Sequence, residues 1–158
     1  MKLERVVATA LACLLAGCSH LVILHDPLSA AEHNDLGLSY ERQGELDRAA
    51  SEYRRSLSHD PRYAIARVNL GNVHAHAGRW AEAEQCYRRA LRDHPDDADA
   101  MNNLATALLA QHKQPDEAWL LAARANLHGG APDSVYRVTL NEAEAALRAR
   151  DAAAGRTR

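Results

Sequence analysis

The segment HNDLGLSYERQGELDRAASEY, residues 33–53, returns 34 positions later as RVNLGNVHAHAGRWAEAEQCY, residues 67–87. Leu36, Gly37, Gly44, Ala49 and Tyr53 fall on Leu70, Gly71, Gly78, Ala83 and Tyr87, and beyond both copies Pro61 falls on Pro95. His33 and Tyr40 become Arg67 and His74, so the spacing survives where the residue changes. A fixed step that carries small, aromatic and helix-ending residues in one order marks a stacked two-helix unit. Gly37 and Gly71 let the first helix of a pair approach the second, and Gly44 and Gly78 supply the left-handed residue that ends the first. Ala49 and Ala83 are small where the helices cross, whereas Tyr53 and Tyr87 fill the space toward the next unit. Pro61 and Pro95 stop the second helix. Ser29 and Glu32 have the spacing of a capping box at the start of the first.

A third copy is degraded. Met101, Leu104, Ala105 and Leu108 keep the first helix, but Ala118 falls one residue late, which places an inserted residue in the turn around 112–115. Ala122 stands where the aromatic is expected, and Gly129-Gly130 close the pair in place of a proline. The units are read as 30–63, 64–97 and 98–131. An amphipathic helix over 133–150, with Val135, Val138, Leu140, Ala143 and Leu147 as its apolar side, is expected to cover the open end of the stack. The end of the chain, 152–158, is small and basic and is expected to be disordered.

The order L-G-x2-Y, A-x3-Y, P at this period resembles the tetratricopeptide repeat. The resemblance implies an all-α fold, a right-handed superhelix of antiparallel helix pairs with three repeats and a C-terminal capping helix. It also implies a concave groove, lined by the first helix of each pair, in which extended peptides bind. By position the groove should present Asn34, Asp35, Leu38 and Arg42, then Ile65, Asn69, Asn72 and His76, then Asp99, Asn102, Asn103 and Thr106. Asn69 and Asn103 share one slot, like the asparagine ladder with which some members grip a peptide backbone; Asp35 departs from it. An amide suits that task because it both donates and accepts. Both asparagines are expected to face solvent, and the alternative is that they only cap or solvate helix surfaces. Other members clamp the terminal carboxylate of chaperones with Lys and Arg. Here the matching positions are Asn34, Leu38, Asp99 and Asn103, so that mode is set aside.

Composition narrows the function classes. Phe is absent and the formal charge is −2 with both signs interspersed, so helices are favoured and no electrostatic footprint for nucleic acid is visible. Among nine histidines the spacing His74-x-His76 puts the two rings on different helix faces, and neither an HExxH nor a CxxC pattern occurs, so no metal is expected. His74 is read as a packing residue in the Tyr slot. Cys86 lies within a helix with no evident base, and Asp96, Asp97 and Asp99 gather at a helix start where they favour the dipole. The expectation is a non-enzyme without cofactor or small-molecule substrate.

The N-terminus speaks about location. Lys2 and Arg5 precede an apolar run from Val6 to Ala16, too short to span a bilayer but suited to a signal-peptide core. Leu15-Ala16-Gly17-Cys18 resembles the bacterial lipoprotein signal, which implies removal of 1–17, lipidation of Cys18 and a short tether over 18–29. The alternative is an uncleaved anchor helix; either way the positive flank leaves the body facing the periplasm. Ser19 after the cysteine implies the outer membrane. The tether, with HLVILHDP in it, is expected to pack on the first repeat; the alternative is that it holds the repeats close to the membrane. Together these imply a lipid-anchored envelope protein that binds a protein partner or extended peptide segment as an adaptor or assembly factor. A pilotin-like or peptidase-associated accessory protein, and a self-associating structural lipoprotein, are the alternatives.

Overall fold

The computed structural model describes residues 26–129 and 135–156; the expected signal peptide, Cys18 and the tether as far as residue 25 lie outside them. Seven helices occupy the described residues: α1 (Ala30–Arg42), α2 (Leu46–His59), α3 (Ala64–His76), α4 (Trp80–Asp93), α5 (Ala98–Ala110), α6 (Pro115–Gly129) and α7 (Val135–Ala153). Each packs on the next, and α3 also touches α5 while α5 touches α7, so the first helices of successive pairs form one face. None of the described helices is long and apolar enough to cross a membrane.

Local chemistry sets the boundaries. Ser29 Oγ accepts from the Glu32 N–H at 3.3 Å while Glu32 accepts from the Ser29 N–H at 2.7 Å, a complete capping box for α1. Asp97 caps α5 by accepting from Ala100 N at 2.9 Å. Gly44 and Gly78 sit at φ +77° and +69°, where a Cβ would be strained. The third turn, 111–114, is one residue longer than 43–45 and 77–79, and it holds two non-glycine residues at positive φ, His112 at 53° and Gln114 at 45°.

The pairs close through a glycine–aromatic contact. A Cβ on Gly37 would lie 2.5 Å from Tyr53 Cε1, and one on Gly71 would lie 2.5 Å from Tyr87 Cε1. Tyr53 also packs with Ala66, Leu70 and Val73 of the following pair, so one ring seals both the pair and the junction. In the third unit, Ala105 and Ala122 take these two places and both are fully buried. Arg88 on α4 fastens the third unit from outside, donating to both Glu117 oxygens on α6 at 2.6 and 2.9 Å.

The cap buries Ala143 and Leu147 and packs Leu140 on the core as expected, but it differs in its first turn. Val135 and Val138 are exposed, and the buried stripe is Thr139, Ala143, Leu147 and Asp151. This stripe, four residues apart along one face, packs against α5 and α6, and the first turn with its two valines extends beyond the buried contact. The face that remains open carries Trp119 and Leu120, both exposed. The helix also runs past residue 150 to Ala153, and residues 154–156 of the stretch expected to be disordered close it. Gly155 N–H donates to Ala152 O at 3.1 Å and Arg156 N–H to Asp151 O at 2.9 Å, with Gly155 at φ +66°.

Candidate functional site

The face formed by α1, α3 and α5 carries the residues expected in the groove, but in two layers. Asn34 and Asn102 are 3% and 5% exposed, so they belong to the wall beneath the surface and not to an open groove. They sit one position before the ladder slot, which a helix rotates by about 100° toward its neighbour. Asp35, Arg42, Ile65, His76 and Asp99 are exposed, while Leu38, Asn69, Asn72, Asn103 and Thr106 are half-buried.

Asn69 and Asn103 are already engaged. Asn69 Nδ2 donates to Asn34 Oδ1 at 2.9 Å, tying α3 to α1, and Asn103 Nδ2 donates to Asn72 Oδ1 at 3.0 Å, tying α5 to α3. The Asn72 oxygen also accepts from Tyr87 OH at 2.9 Å. The expectation that both asparagines merely face solvent is therefore corrected: amide pairs bridge the first helices. Each pair still has donors and acceptors to spare, because an amide offers two N–H groups and two lone pairs. Between α3 and α5, Asn72, His76, Trp80, Tyr87, Asn103 and Thr106 line a concavity of about 370 Å³, with Glu41 at its edge.

Three residues of this face were missed in the sequence. Glu41 accepts from Tyr53 OH at 2.6 Å, and Tyr136 of the cap donates to Asp99 at 2.7 Å, so the cap contributes to the inner face. Trp80 starts α4 and reaches the concavity from behind. Burial holds the phenols of Tyr53 and Tyr87 well above the usual range; for Tyr53 the Glu41 bond adds to it. A larger concavity of about 820 Å³ lies away from this face, between α6 and α7, and includes Trp119, Leu120 and Leu147. Its walls are the uncovered end of the stack and lack bridging amides.

The profile of the tetratricopeptide repeat matches residues 34–98 and 77–125. The chain belongs to the tetratricopeptide-repeat family. Solved structures with this fold include the first TPR of Spaghetti (RPAP3) bound to the HSP90 peptide SRMEEVD, 21% identical, covering 81% of this chain and 98% of that one, with a TM-score of 0.69. The first TPR domain of human RPAP3 is 20% identical, covering 77% and 94%, TM-score 0.69. The TPR2B domain of yeast Sti1 in complex with pHsp70 is 19% identical, covering 73% and 96%, TM-score 0.68. Among curated proteins, none matches the sequence.

Within this tetratricopeptide-repeat fold the other polar candidates are quiet. Arg79 Nε donates to His74 Nδ1 at 3.1 Å, and burial first, then the Arg79 charge, lowers the imidazole's proton affinity. The Cys86 thiol is free and half-buried, and burial pushes its pKa up, away from nucleophilic use. A further grouping carries no sequence motif. His33, fully buried on α1, lies against Glu52 and His59 of α2 and Asp26 ahead of α1.

Proposed function

We propose that this protein is a lipid-anchored periplasmic scaffold that holds an extended segment of a partner protein in its concave groove, as an adaptor or assembly factor of the cell envelope. The observation that carries the reading is the pair of amide bridges, Asn34–Asn69 and Asn72–Asn103, on the face of the first helices. A peptide backbone repeats one donor and one acceptor per residue, and spare amide groups at fixed spacing meet that need. Structural neighbours bound to HSP90 and Hsp70 segments support peptide binding. The ligand here differs in kind, since Asn34, Leu38, Asp99 and Asn103 offer no cation to a terminal carboxylate. Anchoring rests on Leu15-Ala16-Gly17-Cys18 and the positive flank before it.

Two experiments test the reading. Selection from a displayed library of random peptides should enrich extended binders that lose about 2- to 12-fold in affinity when Asn103 becomes Ala, from a hydrogen bond of about 0.5–1.5 kcal/mol. Binders indifferent to that change would move the site off the groove. Labelled palmitate should enter the wild-type chain in cells and not Cys18→Ser; a wild type without label removes the anchor. A second reading, self-association, draws on the exposed Trp119 and Leu120 at the end of the stack. Sedimentation that shows mass rising with concentration, abolished by Trp119→Lys, would favour it.

A further inference from the structure

From the cluster at the start of α1 we infer that this chain carries a binding site for a divalent first-row transition ion, with Asp26, His33 and His59 as ligands and Glu52 as the positioning residue. One potential ligand atom from each of the three lies within 4.8 Å of the others. His33 is 0% exposed, yet its Nε2 has no hydrogen-bond partner. Its other nitrogen, Nδ1, lies 2.8 Å from Glu52 Oε2. The Glu52 carboxylate, whose second oxygen accepts from Arg55 at 3.0 Å, can only accept, so in the neutral ring Nδ1 carries the hydrogen. The Nε2 lone pair is then free, 3.2 Å from Asp26 Oδ2 but not in line with it. A carboxylate that fixes the far nitrogen of a histidine is the usual support behind a metal-ligating imidazole.

Asp26 is prepared in the same way. Its Oδ1 accepts from Leu28 N–H at 3.2 Å, which leaves Oδ2 facing His33 Nε2 at 3.2 Å. Two ligand atoms about 2.0–2.1 Å from one tetrahedral ion stand about 3.3 Å apart. The separation thus suits a shared ion. His59, exposed at the end of α2 with its ring centroid 5.2 Å from that of His33, can swing to complete the set and leave a fourth position for water. Two imidazoles with one carboxylate disfavour Ca²⁺ and Mg²⁺, which take oxygen, and favour Zn²⁺ and its neighbours.

The repeat supplies an internal control. The positions equivalent to His33 and His59 are Arg67 and Asp93, which satisfy each other as an ion pair at 2.8 Å. In the third unit the first of these positions is Met101, fully buried. The slot is closed by its own residues in both later units; in the first it holds ligand-type side chains and a buried nitrogen without a partner.

The test titrates the full chain, solubilised in detergent, with Zn²⁺ against a chromogenic chelator, and with Co²⁺ read by its visible d–d absorption. One saturable site with a tetrahedral Co²⁺ spectrum is expected. Asp26→Asn with His59→Ala, both outside the core, should lose more than about 100-fold in affinity, and Glu52→Gln about 10- to 100-fold, the range for outer-shell carboxylates. The remaining histidines stay intact in these variants. Equal affinity in the double variant would assign the ion to them and overturn the site, as would the absence of a saturable site in the wild type. Nitrogen NMR gives an independent reading: the His33 Nε2 resonance should shift with Zn²⁺, and an Nε2 that keeps a hydrogen at saturating Zn²⁺ refutes it.

Discussion

Tyr53 lies across Gly37 so closely that a Cβ on the glycine would meet Cε1 of the ring at 2.5 Å. Tyr53 is 0% exposed and its hydroxyl is held by Glu41, so the ring has no room to retreat. Gly37→Ala should therefore destabilise by about 1–3 kcal/mol despite the better helix propensity of Ala. In a Tyr53→Ala background the obstruction is gone, and the same change should cost nothing or stabilise by up to about 1 kcal/mol. Chemical denaturation of the four proteins in the cycle measures the coupling. Additive effects would show that the contact is not what excludes a side chain. The third unit points the same way, with Ala105 and Ala122 at the two positions.

Alkaline pH probes the same rings. Tyr53 and Tyr87 have their phenols raised above the ordinary value of 10, by burial first. A raised pKa means that the folded state keeps a proton that the unfolded chain gives up. Stability from these groups is complete below the unfolded pKa and falls as pH rises above about 10, with a limiting slope of about 1.4 kcal/mol per pH unit for each ring. Absorbance titration should show these two of the five tyrosines ionising only with unfolding. A titration in which all ionise before the helical signal changes would contradict it.

Fold was legible because a helix crossing where any Cβ would come within 2.5 Å of the facing ring leaves few choices of residue. Gly37, Gly71, Tyr53 and Tyr87 announce one another at fixed spacing, and the long third turn shows as a late Ala118. The start of the α7 contact was less legible: Val135 and Thr139 share one face four residues apart, and only the reach of the neighbouring helices leaves the first exposed and the second buried. The groove was legible as a face but not in its bonding: whether Asn69 meets solvent or Asn34 depends on the offset between α1 and α3. Nothing in a motif search joins His33 to His59. Their separation is nevertheless that of Arg67 and Asp93, and of Ala30 and Ser56, whose hydroxyl donates to the Ala30 carbonyl at 2.6 Å. Positions 26 apart face each other across a helix pair in this stack, a rule visible only once the pairs are drawn.

His112 occupies the glycine slot of the third turn. Its N–H donates to Leu109 O and the next N–H to Leu108 O, as Gly44 and Glu45 donate to Glu41 and Tyr40. A non-glycine residue held at φ 53° costs about 1–3 kcal/mol, part of which glycine returns through its freedom when unfolded. His112→Gly should raise stability by about 0.5–1 kcal/mol, and its exposed side chain leaves no cavity. A lower thermal midpoint for the variant would count against the strain.

The two amide bridges should differ in what they do for the fold, and this decides which one can test the groove. Asn34 is 3% exposed and its oxygen accepts from Asn69, so Asn69→Ala leaves a buried acceptor without that bond at a cost of about 1–3 kcal/mol. Asn103→Ala takes one donor from Asn72 Oδ1, which still accepts from Tyr87 OH, and should cost about 0.5 kcal/mol or less. Loss of peptide binding in Asn103→Ala then reports on the groove, whereas loss in Asn69→Ala mixes recognition with stability. The exposed Arg54 on α2 serves as the control; Arg88 does not, because its ion pair with Glu117 holds α4 to α6. Thermal midpoints of the single variants, read beside titration calorimetry with a selected peptide, separate the two effects. Equal destabilisation by both substitutions would show that Tyr87 does not hold the Asn72 oxygen, and that the Asn72–Asn103 bridge is as structural as Asn34–Asn69.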